Sequence, residues 1–267
     1  MSKLNISATF GDLASSARRI GLVGTLGWQD VRQRYRRSSL GPFWLTITMG
    51  VMIATIGIVF GQIFKSPLKE YLPFLSIGLI LWGFISTSIG EGCTGFISSD
   101  AIIKQLPIPL PVHILRLLWR NLIILAHNIV IFPLVMLAVG RPLAMISFLS
   151  IAGLAVLLLN LLWFCTLLAT ICARYRDIPQ IVTSLLQVIF YLTPIMWLPN
   201  LLPERSGAYY LLDLNPFYHL IQIVRAPLLG DTPTSWNWIV SLGCAAIGWL
   251  VTLLLYSRYR ARIAYWL

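Results

Sequence analysis

The chain has 267 residues, 58% of them hydrophobic and 11% charged, where a soluble domain carries about 25% charged and 45–50% apolar residues. At a mean hydropathy of +0.81, too little polar surface remains to cover a water-soluble globule, which excludes that class and leaves an integral membrane protein. The net charge of +11, from 20 basic and 9 acidic residues, gathers at the ends of apolar runs, so it reads as topology and lipid headgroups and not as a nucleic-acid surface.

The first 40 residues hold seven basic side chains and no continuous apolar run, so no cleavable leader is expected. Residues 12–40 mix Ile20, Val23, Leu26, Trp28 and Val31 with Arg18, Arg19, Arg32, Arg34, Arg36 and Arg37. That pattern suits an amphipathic helix lying in the membrane interface. A helix needs roughly 20 apolar residues to cross about 30 Å of hydrocarbon. Six segments are expected to do so: Phe43–Phe64, Tyr71–Cys93, Pro111–Val139, Ile146–Ala173, Ile181–Leu198 and Trp238–Tyr256. Residues 94–110 form the first inner loop, whose Pro107 and Pro109, followed by Pro111, stop any helix over 97–105. The long segment 199–237 carries Tyr209, Tyr210, Phe217, Tyr218 and Trp236 on apolar runs too short to span. It predicts two short re-entrant helices, broken near Asn215-Pro216.

With both termini on the same side, fifteen basic residues face that side and five face the other, which orients both termini to the cytoplasm. The expected fold is therefore all-α. Residues 1–42 form a cytoplasmic segment with the interfacial helix, 43–256 the six-span domain, and 257–267 a cytoplasmic tail.

Catalytic signatures are missing. None of the four lysines, Lys3, Lys65, Lys69 and Lys104, follows a glycine, so no phosphate-binding loop ending in Gly-Lys is present and ATP hydrolysis must come from another polypeptide. No Asp-x-Asp occurs, His113, His127 and His219 lack zinc spacing, and no catalytic or metal residue is assigned. Cys93, Cys165, Cys172 and Cys244 read as small buried apolar residues. His127 and Asn128, in the middle of the third span, serve either an interhelical hydrogen bond or a conduit lining. Gly57 and Gly61 allow close helix approach, used within the chain or at a dimer seam.

Five motifs follow one another along the chain. Arg34-Tyr35-Arg36-Arg37-Ser38-Ser39-Leu40-Gly41-Pro42-Phe43-Trp44 leads into the first span, and Gln105-Leu106-Pro107-Ile108-Pro109 closes the first inner loop. Arg174-Tyr175-Arg176-Asp177-Ile178 joins the fourth and fifth spans, and the fifth ends in Tyr191-Leu192-Thr193-Pro194-Ile195-Met196-Trp197. The fifth motif is a pair within the outer segment, Leu214-Asn215-Pro216-Phe217-Tyr218 and Val224-Arg225-Ala226-Pro227-Leu228-Leu229-Gly230. In this order the set resembles the membrane subunits of ABC exporters for O-antigen, capsule and teichoic-acid polymers, over residues 18–256.

The resemblance implies a homodimer in the bacterial inner membrane, bound to two copies of an ABC ATPase that supply ATP and Mg, with no cofactor on this chain. The cargo it implies is lipid-linked polysaccharide; membrane lipids are the other contact and nucleic acid is none. It further implies that Arg34, Tyr35, Arg36 and Arg37, the loop around Ser99, Asp100 and Lys104, and Arg176 and Asp177 meet the ATPases. For Arg176 and Asp177 a salt bridge or helix-end charge role stands as the alternative.

A sugar chain is polar but offers C–H faces that stack on aromatic rings. Gln187, Tyr191 and Pro194 fall on one helical face at i, i+4 and i+7. With Trp197, Tyr209, Tyr210, Phe217 and Tyr218 they make a candidate aromatic conduit. An interfacial aromatic belt is the alternative, and it fits Trp197, Trp236 and Trp238 better. The rival functions are an exporter of drugs or small lipids with the same fold, a membrane-embedded transferase, and a passive channel.

Overall fold

The computed structural model describes residues 6–36, 41, 43–201 and 207–267. Twelve α-helices and no strand occur among them. In order they are α1 (Ile6–Arg18), α2 (Ile20–Tyr35), α3 (Phe43–Ile63), α4 (Leu68–Cys93), α5 (Asp100–Gln105), α6 (Pro111–Asn128), α7 (Ile131–Val139), α8 (Leu149–Arg174), α9 (Ile178–Leu192), α10 (Gly207–Asp213), α11 (Pro216–Leu229) and α12 (Ser235–Trp266).

Among the described residues five segments are long and apolar enough to cross a membrane: α3, α4, the α6–α7 pair, the α8 segment from Met145, and α12. α4 is the central one. Its most apolar stretch is 78% buried, and it packs on α3, α6, α7, α8, α9 and α11. A helix apolar on every side is expected to sit at the middle of a bundle. The expected second and fourth spans match helices here within a few residues.

Three expectations change. The interfacial helix is two helices, α1 and α2, meeting at Arg19. α2 buries Val23, Gly27 and Val31, which recur every four residues and so share one face. That face lies on α6, so close that a Cβ on Gly27 would be 2.7 Å from Trp119 Cδ1. The fifth segment, predicted as Ile181–Leu198, is a helix only to Leu192. Its fifteen residues rise about 22 Å at 1.5 Å each, short of about 30 Å of hydrocarbon. The tail at 257–267 is not separate, because α12 continues through it to Trp266 and buries Ile263.

The α6–α7 pair breaks at Ile129-Val130 for a local reason. Pro133 has no N–H to give the Ile129 carbonyl, and its ring crowds that turn. Phe132 N–H bonds to Ile129 O instead, at 3.0 Å. Asn128, at the break, takes a hydrogen bond from the Thr46 hydroxyl of α3 at 3.2 Å. His127 turns back to its own Ile123 carbonyl at 2.8 Å.

Small residues fix the closest helix approaches. Cβ atoms on Gly57 and Gly61 would stand 2.5 Å from Leu72 Cδ1 and 3.0 Å from Leu68 Cδ2, so this pair packs α3 on α4 inside the chain. A Cβ on Gly153 of α8 would meet the Ile223 carbonyl oxygen of α11 at 2.2 Å. Pro227 lies four residues after Ile223 and cannot donate to that carbonyl, so α8 meets α11 where the helix ladder is incomplete.

Candidate functional site

After α9 the backbone leaves the helix and turns inside the protein. Thr193, Pro194 and Ile195 are all buried. Non-helical backbone at this depth must have its polar groups satisfied by protein. The Tyr71 hydroxyl donates to Met196 O at 2.5 Å and Arg225 Nη1 to Pro194 O at 2.7 Å. Asn215 Nδ2 donates to the Thr193 hydroxyl at 2.8 Å. Gly78 of α4 lets the turn come near, since a Cβ there would be 3.1 Å from Ile195 O. Arg225 is fully buried, and among the described residues no ion pair with a carboxylate involves it. Its Nε donates to Gln222 Oε1 at 3.0 Å, and its guanidinium carbon stands 4.0 Å from the Phe74 ring centroid. Cation–π attraction replaces part of the lost hydration.

Beside this turn runs a groove of about 630 Å³ between α3, α4 and α9. Gln187, Phe190 and Tyr191 form the α9 wall, Trp82, Ser86 and Thr87 the α4 floor, and Met49 and Met52 the α3 wall. Trp82 and Phe190 rings lie 5.8 Å apart, and Phe190 and Tyr191 5.2 Å apart. Tyr191 is 67% exposed. Met49, Met52, Gly83 and Thr87 also line a second hollow, which extends along α6 past Asn128 and Asn121 to Arg34.

Arg34 belongs to a charged cluster at the basic end of the bundle. It meets Glu91 of α4 at 2.9 Å, and Arg120 of α6 meets the other Glu91 oxygen at 2.6 Å. Asn121 Nδ2 also donates to Glu91, at 2.9 Å. Arg116 grips Asp30 of α2 through Nε and Nη2, and Arg120 reaches Asp30 at 3.6 Å. Three arginines and two carboxylates thus tie α2 to α4 and α6. Two-point arginine–carboxylate contacts fix direction as well as distance. Burial pushes the Tyr35 phenol above its ordinary value against the opposing pull of Arg34, so it stays protonated here. A second tie joins α1 to α12: Asp12 accepts from Arg260 at 3.0 Å and from the Tyr256 hydroxyl at 3.1 Å.

A family model described as ABC-2 type transporter matches residues 21–229, which contain the groove, the turn and the charged cluster. The chain belongs to the ABC-2 type transporter family. It is similar, at 25% identity over 210 residues, to the O-antigen export system permease protein RfbA of Myxococcus xanthus, covering 77% of this chain and 79% of that one. Two Klebsiella pneumoniae proteins of the same name match at 22% over 76% of this chain and 24% over 72%, covering 78% and 74% of their own lengths.

In this ABC-2 transporter chain the candidate conduit residues separate. Gln187 and Tyr191 share the groove wall. Trp197 Nε1 donates to the Tyr191 carbonyl at 3.2 Å, at the end of that wall. Phe217 stands behind the floor, its ring 6.0 Å from Trp82 and 6.4 Å from Phe164. The Tyr218 hydroxyl accepts from Gln222 at 3.4 Å, and Tyr210 is exposed on α10. The side chain of Tyr209 lies outside the described part, as does Arg37.

Of the candidate contact residues, Arg34 joins the cluster, Tyr35 is half-buried beside it, and Arg36 is exposed. Ser99 precedes α5, where Asp100 and Lys104 pair with each other at 2.8 Å. Arg176 donates to the Trp266 carbonyl at 3.2 Å, while Asp177 is exposed at the start of α9. Sequence reasoning did not assign Asp12, Asp30, Glu91, Arg116, Arg120 or Arg225 to these roles. A signal was present: in a chain with nine acidic residues, carboxylates near arginine-rich membrane borders call for charged partners.

Proposed function

We propose that the chain is the membrane subunit of an ATP-driven exporter of lipid-linked polysaccharide. It works as a homodimer with two copies of an ABC ATPase, in the bacterial inner membrane, with both termini cytoplasmic. α9 and the buried turn complete the sixth crossing, and α10 and α11 re-enter from the outer side. ATP and Mg act on the partner subunit. The observation that carries the reading is the groove where Gln187, Phe190, Tyr191 and Trp82 combine a polar amide with stacked rings, in a chain similar to named O-antigen export permeases. Sugar C–H faces rest on such rings while hydroxyls meet the amide, so many weak contacts hold a polymer and let it slide. A second copy would close the open side of the groove into a conduit. The ATPases would press on α2 and the 94–110 loop, and the charged cluster would pass that displacement to α4 and α6.

Co-expression of the tagged chain with its ATPase, purification and assay in lipid vesicles test the reading. A stable complex whose ATPase responds to lipid-linked glycan supports it, and loss of that response in Arg36→Glu supports the contact role. A chain that purifies alone and never stimulates an ATPase would overturn it. The apolar α3 wall of Met49 and Met52 favours a second reading, export of a small lipid. Lipid translocation by the same vesicles without any glycan would favour that one.

A further inference from the structure

Behind the charged cluster lies a separate cavity of about 190 Å³. Asp30 of α2, Ser98 and Ser99 of the α4–α5 connection, and His113, Arg116 and Arg120 of α6 line it. His113 is 5% exposed, and neither of its ring nitrogens has a hydrogen-bond partner among the described residues. The same holds for Arg120 Nε. A buried imidazole with both nitrogens unmet is costly, and such groups in native proteins have a ligand or ordered water.

The donor set narrows the ligand. Two guanidiniums face one carboxylate in the lining, and the Asp30 oxygens are already engaged by Arg116 and Arg120. Glu91 pairs with Arg120 and Arg34, so across the cluster bordering the cavity three guanidiniums face two carboxylates, one excess positive charge. Ser99, Arg116 and Arg120 supply donors, and Ser98 adds one when its hydroxyl turns from the Gly95 carbonyl it donates to at 3.4 Å, whereas a neutral imidazole supplies one donor and one acceptor. A carboxylate or sulfate would leave the bare imidazole nitrogen unmet. A sugar hydroxyl would leave the charge unmet. A phosphate monoester with one proton answers both, its P–OH bonding to the imidazole and its anionic oxygens to the other groups.

We propose that this cavity binds one singly protonated phosphate group, held by His113, Ser98, Ser99, Arg116 and Arg120. The source is either a monoester lipid headgroup such as phosphatidic acid or a soluble phosphate. The ligand bridges α6, on which Arg116 and Arg120 hold Asp30 of α2, and the connection leading to α5. The inference stands on the cavity alone and does not depend on the cargo.

The test uses the full chain, purified in detergent and in nanodiscs. Radiolabelled inorganic phosphate is titrated with sulfate as competitor, and native mass spectrometry counts retained lipid in phosphatidic acid against phosphatidylcholine. Expected is one phosphate or one phosphatidic acid per chain, poorly displaced by sulfate and bound about tenfold or more weakly by His113→Leu. Ser98→Ala combined with Ser99→Ala should weaken it too, and carries the test if His113→Leu does not fold. Binding of phosphatidic acid alone assigns the lipid source; binding of free phosphate assigns the soluble one. No saturable binding of either, equal displacement by sulfate, or unchanged affinity in both variants would overturn the proposal and leave a water-filled cavity.

Discussion

At the residue scale, Arg225 and Gly153 hold α11 in place, and neither role follows from composition. Arg225 counts in the sequence as an outer basic residue, yet it is buried against Phe74, with Nη1 on the Pro194 carbonyl. Replacing it with Met removes that donor and leaves a buried carbonyl unpaired, which costs about 1–3 kcal/mol. Lys should not rescue, because a single ammonium cannot reproduce the planar fork that reaches both Gln222 and Pro194. Thermal unfolding in detergent checks this: both variants should melt below the parent, and an Arg225→Lys protein as stable as the parent would refute the fork argument. Gly153→Ala would place a methyl 2.2 Å from Ile223 O. Overpacking of this kind costs about 1–3 kcal/mol, and the same melting measurement should show it. The motif containing Pro227 was visible in the sequence. That a glycine 74 positions earlier would face the carbonyl it leaves open was not.

At the element scale, α2 is held by charge as well as by the buried face of Val23, Gly27 and Val31. Glu91 is the shared partner of Arg34, Arg120 and Asn121. Glu91→Gln should keep the size and lose the Arg34 part of the ionic hold on α2, so hydrogen exchange toward residues 31–35 should rise while α4 stays protected. If exchange in α2 does not change, the Arg34–Glu91 tie is not what docks it. Coupling of ATP hydrolysis to export should fall in the same variant. The amphipathic character of this region was legible from its mix of tryptophan, aliphatic and arginine residues. Its division at Arg19 was not, because no proline or glycine stands there to mark a break. α9 shows the opposite case. Its apolar run continues past Leu192, so hydropathy extends the helix to Leu198, whereas Pro194 and the waiting partners Tyr71 and Arg225 end it in a buried turn.

At the scale of the whole molecule, α4 supplies the axis, and the groove lies on one side of it, with Gln187 and Tyr191 exposed in the single chain. Tyr191→Ala removes a ring that a sugar face can stack on and leaves the fold intact, because the side chain is exposed. The expectation is normal assembly and basal ATPase with slower polymer export, roughly tenfold if stacking contributes about 1.4 kcal/mol at the barrier. Tyr191→Phe should export normally. Unchanged export in Tyr191→Ala would remove this ring from the path.

Sequence by itself determined the membrane class, three of the long apolar helices to within a few residues, the broken third one and the start of the last, the stop before Pro107, and the break at Asn215-Pro216. These are local properties: hydrocarbon forces each crossing segment to satisfy its own backbone, so length, hydropathy and proline suffice to place it. Tertiary structure alone decided which carboxylate meets which arginine, which glycines sit at close approaches, and where the groove opens. Those depend on partners as far apart as Asp12 and Arg260 or Tyr71 and Met196. An ion pair or a buried hydrogen bond is specified by distance in space, and a hydropathy pattern carries no information about which distant residue will supply it.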